Sequence, residues 1–164
     1  AQHVLDDDYY KRIEAIQFTM SHDDGKKLDD VGEADIILLG VSRTSKTPTS
    51  IYLANRGYKT INIPLVLDQT IPGDLKLKSN TTCIIGLVAD PERLADIRRN
   101  RVAIMRENNI KEYTDLDFIK DEVNKSKKLF NKYNWPIIDV TRKSVEETAA
   151  SILKILEIKK NKWN

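Results

Sequence analysis

The residues with the strongest claim to chemistry lie in one stretch, Gly40-Val41-Ser42-Arg43-Thr44-Ser45-Lys46-Thr47. Their spacing is that of a phosphate-binding loop, G-x-x-x-x-G-K-[ST], except that Ser45 stands where the pattern has a second glycine. In such a loop the backbone N–H groups turn inward, and the following helix adds the positive end of its dipole. Lys46 would reach terminal phosphates as a point charge, and the Thr47 hydroxyl would sit on Mg²⁺. Ser45 occupies a backbone position that wants freedom in φ, so a changed loop shape is expected. The bland alternative is an ordinary strand-to-helix turn.

Phosphoryl transfer is mostly positioning and charge neutralisation. It needs further cations, a metal and a group to handle the acceptor's proton. Arg93, Arg98, Arg99, Arg101 and Arg106 crowd one predicted helix. Arg98 and Arg101, one turn apart, would share a face and could pair with phosphate oxygens. The other reading of that helix is a solvated basic face paired with Glu92, Asp96 and Glu107. Asp90 ends an apolar run, where an acidic residue can assist Mg²⁺ with Thr47. Asp90-Pro91-Glu92 is equally a good helix start, with Asp90 as its cap. Asp139 has the same two readings. His22-Asp23-Asp24-Gly25 supplies adjacent carboxylates. Their repulsion would raise the affinity of one for a proton, as a general base requires. Asp-Asp-Gly is also a common turn.

The elements that must hold these groups are legible as an alternation. Tyr9, Ile13, Ile16 and Met20 draw an apolar face on a helix over 6–21, which begins with Asp6, Asp7 and Asp8. A solvated connection over 26–33 leads to a buried strand over 35–39. The helix after the loop stops near Arg56-Gly57, and Tyr58 to Val66 alternates as a strand. Residues 67–80, with Pro72-Gly73, read as loop with a short turn of helix at 74–77. Thr82 to Ala89 reads as a strand buried on both faces. A helix from Pro91 to about Asn109 and another from Asp115 to about Tyr133 follow. Trp135 to Val140 is a short strand. Ser144-Val145-Glu146-Glu147 is a capping box opening the last helix, and the basic tail from Lys159 frays.

Strands alternating with helices predict an α/β fold, a mostly parallel sheet with helices on both faces, P-loop kinase-like. Ligands in such sheets sit beyond the carboxyl ends of the strands, which puts Asp90 and Asp139 on the same side as Lys46. The expected division is 1–34, a helix and acidic loop leading in, and 35–164, the P-loop kinase-like domain.

At 164 residues, 40% apolar and 32% charged, the chain fits a hydrophilic enzyme of one domain. A net charge of +2 does not argue for a nucleic-acid partner. The lone Cys83 excludes a disulfide framework, points to a reducing, cytoplasmic setting, and reads as a small buried hydrophobe. No stretch approaches the length of a membrane span, and no membrane partner is expected. The chain opens Ala1-Gln2-His3 without methionine, which reads as an internal piece of a longer protein or a trimmed form of one.

Several segments together resemble the regulatory proteins of pyruvate, phosphate dikinase and of phosphoenolpyruvate synthase. They are Arg12 to Ile16, His22 to Gly25, Gly40 to Thr49, Tyr52-Leu53-Ala54, Gly57-Tyr58-Lys59, Asp90 to Leu94 with Arg98 and Arg101, and Trp135 to Thr141 followed by Glu146-Glu147-Thr148. The likeness spans about residues 6–155, and Ser-Arg-Thr-Ser-Lys-Thr is closer to the dikinase-directed branch. The resemblance implies a bifunctional enzyme. With ADP as donor and Mg²⁺ it would phosphorylate a threonine of the dikinase, and with inorganic phosphate it would remove that group and release pyrophosphate. Gly40 to Thr47 would bind the ADP phosphates, and His22, Asp23 or Asp24 would share in catalysis with Lys46. Arg98 and Arg101 would bind phosphate or target. This chain would be the C-terminal, P-loop part of such a protein, and a homodimer is left open. The alternatives are an ATP-dependent small-molecule kinase of shikimate-kinase or adenylate-kinase type, and a nucleotide-binding fragment without full activity.

Overall fold

The computed structural model describes residues 7–22, 31–65, 82–105 and 111–163. Four strands, β1 (Ile36–Gly40), β2 (Thr60–Pro64), β3 (Cys83–Val88) and β4 (Ile137–Asp139), form one sheet in the order β2-β1-β3-β4. Every pairing is parallel, and the whole is consistent with a P-loop kinase-like fold. The helices are α1 (Asp7–Ser21), α2 (Lys46–Ala54), α3 (Pro91–Met105), α4 (Lys111–Thr114), α5 (Leu116–Lys132) and α6 (Val145–Trp163). A 3-10 turn at Val31–Glu33 leads into β1.

β1 and β3 are the apolar runs of the sequence, and every residue in them is buried. Strand alternation sends Ile36, Leu38, Cys83, Ile85 and Leu87 to one face, against Leu53 of α2, Leu94 of α3 and Ile152 of α6. Ile37, Leu39 and Ile84 go to the other, against Phe130 and Trp135. Burial of this kind contributes about 1.5–3 kcal/mol per large side chain, so the central strands are the most strongly held part of the chain.

The predicted punctuation is present. α2 closes in a Schellman motif, with Gly57 N–H on Ala54 O and Tyr58 N–H on Leu53 O. α5 closes the same way through Asn134, at φ 56°, with Trp135 N–H on Phe130 O. Asp115 caps α5 by accepting from Asp117 N at 3.0 Å. At α6 the Ser144 Oγ accepts from Glu147 N at 3.1 Å while Glu147 Oε1 accepts from Ser144 N at 3.5 Å, a reciprocal capping box.

α1 corrects its predicted face. Tyr9, Ile13 and Met20 are exposed, at 37%, 38% and 67%, and the buried residues are Ala15 and Thr19. The reason is close approach to an edge strand. β2 has an open N–H edge, and Thr19 Oγ1 accepts from Thr60 N at 3.1 Å. Small residues allow that contact and large ones would not. Glu14 adds a 2.9 Å ion pair to Lys59, which holds the carboxyl below its ordinary range through its hydrogen bond and charge. The predicted helical turn at 74–77 and the end of α3 beyond residue 105 lie outside the described residues.

Gly86 sits where β3 meets α5, and a Cβ there would clash with the Cδ2, Cε2 and Cγ atoms of the Phe130 ring. Phe130 is fully buried, so it has no room to yield. Gly86→Ala is expected to cost about 1–3 kcal/mol. That would lower the thermal midpoint by roughly 2–4 °C per kcal/mol, measured by circular dichroism. An unchanged midpoint would mean that the interface between β3 and α5 is loosely packed.

Candidate functional site

β1 ends at Gly40, and α2 begins six residues later at Lys46. The turn between them is tight. A Cβ on Gly40 would stand 2.6 Å from Thr44 Oγ1 and 2.8 Å from Leu87 O, so the first glycine of the pattern is required for close approach. Arg43 and Ser45 both take left-handed backbone, at φ 72° and φ 61°, and the intervening Thr44 does not. Alternation of this kind turns successive N–H groups to one side, the geometry of an anion nest. Ser45 makes no side-chain cap to α2.

Thr44 and Lys46 are buried inside this turn. Thr44 Oγ1 donates to Val41 O at 2.9 Å. Lys46 Nζ donates to the same carbonyl at 2.9 Å and to Thr44 Oγ1 at 3.3 Å. The ammonium is therefore turned back into the loop. α2 is anchored beneath by Ser50 Oγ donating to Thr47 O at 2.9 Å, and Asn62 Nδ2 of β2 reaches Ser50 Oγ at 3.4 Å.

A cleft of about 630 Å³ opens in front of the loop. Ser42, Arg43, Ser45, Lys46, Thr47 and Pro48 form one wall, and Pro64 with Ile97 and Arg101 of α3 completes it. The charged lining residues, Arg43, Lys46 and Arg101, are all basic. The cleft lies at the carboxyl end of β1. There the chain leaves toward β2 on one side, while β3 lies on the other, which is where such sheets bind ligands. Its shape, its inward N–H groups and its charge suit a phosphate-bearing molecule.

The two arginines expected to act together are separated. Arg101 is exposed on the cleft wall. Arg98 is 1% exposed and supports the loop from behind. Its Nη2 donates to Ser42 O at 3.1 Å, and its Nη1 donates to Glu122 Oε1 at 2.7 Å and to Tyr113 O at 3.2 Å. Tyr113, whose hydroxyl lies 3.0 Å from Ser42 Oγ, was not singled out by any motif. It comes from α4, a helix of four residues too short for periodicity to reveal.

Asp90 and Asp139 close β3 and β4 on the edge that carries the loop, as the topology requires. Asp90 Oδ2 accepts from Arg93 N at 3.2 Å, so it does cap α3. Thr141 links the pair. Its hydroxyl accepts from Asp90 N at 2.8 Å and donates to Asp139, and its N–H donates to Asp139 Oδ1 at 2.9 Å. Burial pushes the Asp139 carboxyl up, but the two Thr141 bonds, with Lys127 and Lys143, outweigh it and hold the group below its ordinary range. Asp90 is exposed and Thr47 is on the cleft wall. They are oxygen donors of the kind Mg²⁺ takes, Thr47 in the first turn of α2 and Asp90 just past the end of β3. Among the described residues no cluster of three or more His, Cys, Asp or Glu side chains could hold a metal.

His22 is 2% exposed and is not among the residues lining the cleft. Its ring stacks on Phe18 at 4.1 Å, and its Nδ1 donates to Phe18 O at 2.7 Å. Asp23 and Asp24 lie outside the described residues. Cys83 is fully buried, and burial pushes its thiol up to about 11 against the opposing charge of Lys159. It is the small core residue the sequence indicated. No helix among the described residues is long and apolar enough to cross a membrane.

The family described as kinase/pyrophosphorylase matches residues 1–153. A pyruvate, phosphate dikinase regulatory protein of Pelagibacter ubique is 63% identical over 160 residues, covering 98% of this chain and 58% of that protein. Those of Caulobacter vibrioides and Rhizobium meliloti are 49% and 52% identical, over 49% and 57% of their lengths. The chain thus spans about half to three-fifths of the relatives it matches.

Ser45 is the departure with a physical cost. Left-handed backbone costs an L-residue about 1–2 kcal/mol, and the hydroxyl gains no cap in return. Glycine would remove that cost and give back part of it as chain entropy. Ser45→Gly is expected to stabilise the fold by about 0.5–1 kcal/mol, read as a raised urea midpoint. A lowered midpoint would show that the serine holds the loop through a contact worth more than the strain.

Proposed function

This chain belongs to the kinase/pyrophosphorylase family, and on that premise we propose that it acts as an ADP-dependent protein threonine kinase. Its target would be pyruvate, phosphate dikinase, which phosphorylation switches off. In the opposite direction it would be a phosphate-dependent phosphorylase. The observation that carries the reading is the loop 40–47, with its left-handed residues, buried lysine and basic cleft. The relatives' names support the target, and the choice of ADP rests on the family resemblance.

In the forward step the target threonine's Oγ attacks the terminal phosphorus of ADP. A P–O bond to the threonine forms, the bond to the bridging oxygen breaks, and AMP leaves. The hydroxyl proton passes to a base, for which Asp24 is the candidate, with Asp23 and His22 beside it. In the reverse regulation an oxygen of inorganic phosphate attacks the phosphothreonine phosphorus, the bond to the threonine Oγ breaks, that oxygen takes a proton back, and the pyrophosphate so formed is released. The loop N–H groups would cradle the donor's phosphates. Lys46 would exchange Val41 O and Thr44 Oγ1 for phosphate oxygens, trading neutral acceptors for charged ones. Arg101 and Arg43 would balance charge on the transferring group. Bound Mg²⁺, held by Thr47 and Asp90, would neutralise charge on the donor phosphates.

A second reading has one observation in its favour. The chain covers 58% of a close relative's length, so it could bind nucleotide without completing transfer.

Incubation with the dikinase separates these. Phosphothreonine on the target with ADP, and its loss with phosphate and release of pyrophosphate, is the expected result. Lys46→Ala should lower transfer on the order of 100-fold or more, and Asp24→Ala should bind ADP yet fail to transfer. Transfer from ATP to a small molecule would replace the reading with a small-molecule kinase. ADP binding without turnover would favour the fragment.

A further inference from the structure

Arg98 raises a question that phosphate binding alone does not answer. A buried arginine–carboxylate pair is seldom more stabilising than well-packed apolar side chains of the same volume. Here Arg98 and Glu122, 1% and 12% exposed, are 2.7 Å apart. The guanidinium's remaining terminal nitrogen reaches the carbonyl of loop residue Ser42. Its flat face covers the Tyr113 ring at 4.7 Å. The Tyr113 hydroxyl returns to the same loop residue through Ser42 Oγ. Arg98 of α3 and Tyr113 of α4 thus meet at Ser42, and Glu122 of α5 holds the guanidinium in place behind it.

We propose that Tyr113 is a positioning residue, a latch that with Arg98 holds the Ser42–Arg43 peptide in its ligand-receiving orientation. The inference rests on the nucleotide-binding reading of the cleft. The carbonyl and N–H of one trans peptide point in opposite directions. Fixing Ser42 O toward Arg98 therefore fixes Arg43 N–H away from it. Arg43 is the first left-handed residue of the turn, so the orientation of that peptide sets where the nest begins. Tyr113 holds the Ser42 side chain and so anchors the Cα from which that peptide turns. Freed from the latch, the peptide would sample orientations in which that N–H is lost to the ligand, and binding would weaken by the unpopulated fraction.

The test is calorimetric titration with ADP and Mg²⁺ of the wild-type protein, Tyr113→Phe, Ser42→Ala and the double variant. Tyr113→Phe keeps the ring against Arg98, so the thermal midpoint should stay within about 2 °C. The expected loss is about three- to tenfold in ADP affinity for Tyr113→Phe. The double variant should bind no more weakly than Ser42→Ala alone, because both changes remove one bond. Wild-type affinity in Tyr113→Phe, or losses that multiply in the double variant, would overturn the latch and leave the nucleotide reading standing. A wild-type protein that binds no ADP would overturn both.

Discussion

The carbonyl of Val41 is the point on which the site depends. It accepts from the Thr44 hydroxyl and from the Lys46 ammonium. A lysine only 6% exposed needs such acceptors, because an ammonium removed from water without them is expensive. Supplying them means bending the chain sharply just past β1. That bend uses the close approach at Gly40 and left-handed backbone at Arg43 and Ser45. It also needs a rigid base, and β1, paired on both edges and buried throughout, is one. The loop is placed by the most strongly held part of the fold.

The same constraint sorts the cations into two kinds. Arg98 is matched by Glu122 and bonded to loop and helix carbonyls, so its charge is already answered within the protein. Arg43, Lys46 and Arg101 line the cleft with no acidic residue among the lining side chains. An anion entering there meets a concentration of positive charge and a set of N–H groups together. On the neighbouring strand ends, Thr141 ties Asp90 to Asp139. Those bonds tie the ends of β3 and β4 together beside the loop.

Much of this was legible because it is local. An apolar run flanked by turn residues is a buried strand whatever surrounds it. Asp115, Gly57 and the Ser144–Glu147 box act within a few residues of themselves. The loop was legible for the same reason, since its pattern encodes a backbone path. What escaped depends on contacts between distant segments. The sequence put Arg98 and Arg101 on one face, and they do lie one turn apart. Yet burial under α4 and α5 takes one and leaves the other in the cleft. Tyr113 escaped because α4 is a single turn, and its partner Ser42 lies 71 positions away. The face of α1 was misread because periodicity reports that a stripe exists and not what covers it. The Thr60 N–H on an open strand edge drew a small polar residue inward instead.

Ser45 shows how far a motif can be read as geometry and not as composition. The pattern's second glycine marks a backbone position, and the serine here adopts that position at φ 61° and ψ 28°. A side chain that pays strain without a capping bond persists only where its surroundings over-determine the conformation. Those surroundings are identifiable: Lys46 and Thr44 fold onto Val41 on one side of the turn, and Arg98 and Tyr113 hold Ser42 on the other. Between two such anchors few residues are left to adjust, and Ser45 is driven into the left-handed region. The loop keeps its shape because its ends are fixed, and the identity of the residue at the strained position matters less to that shape than the anchors do.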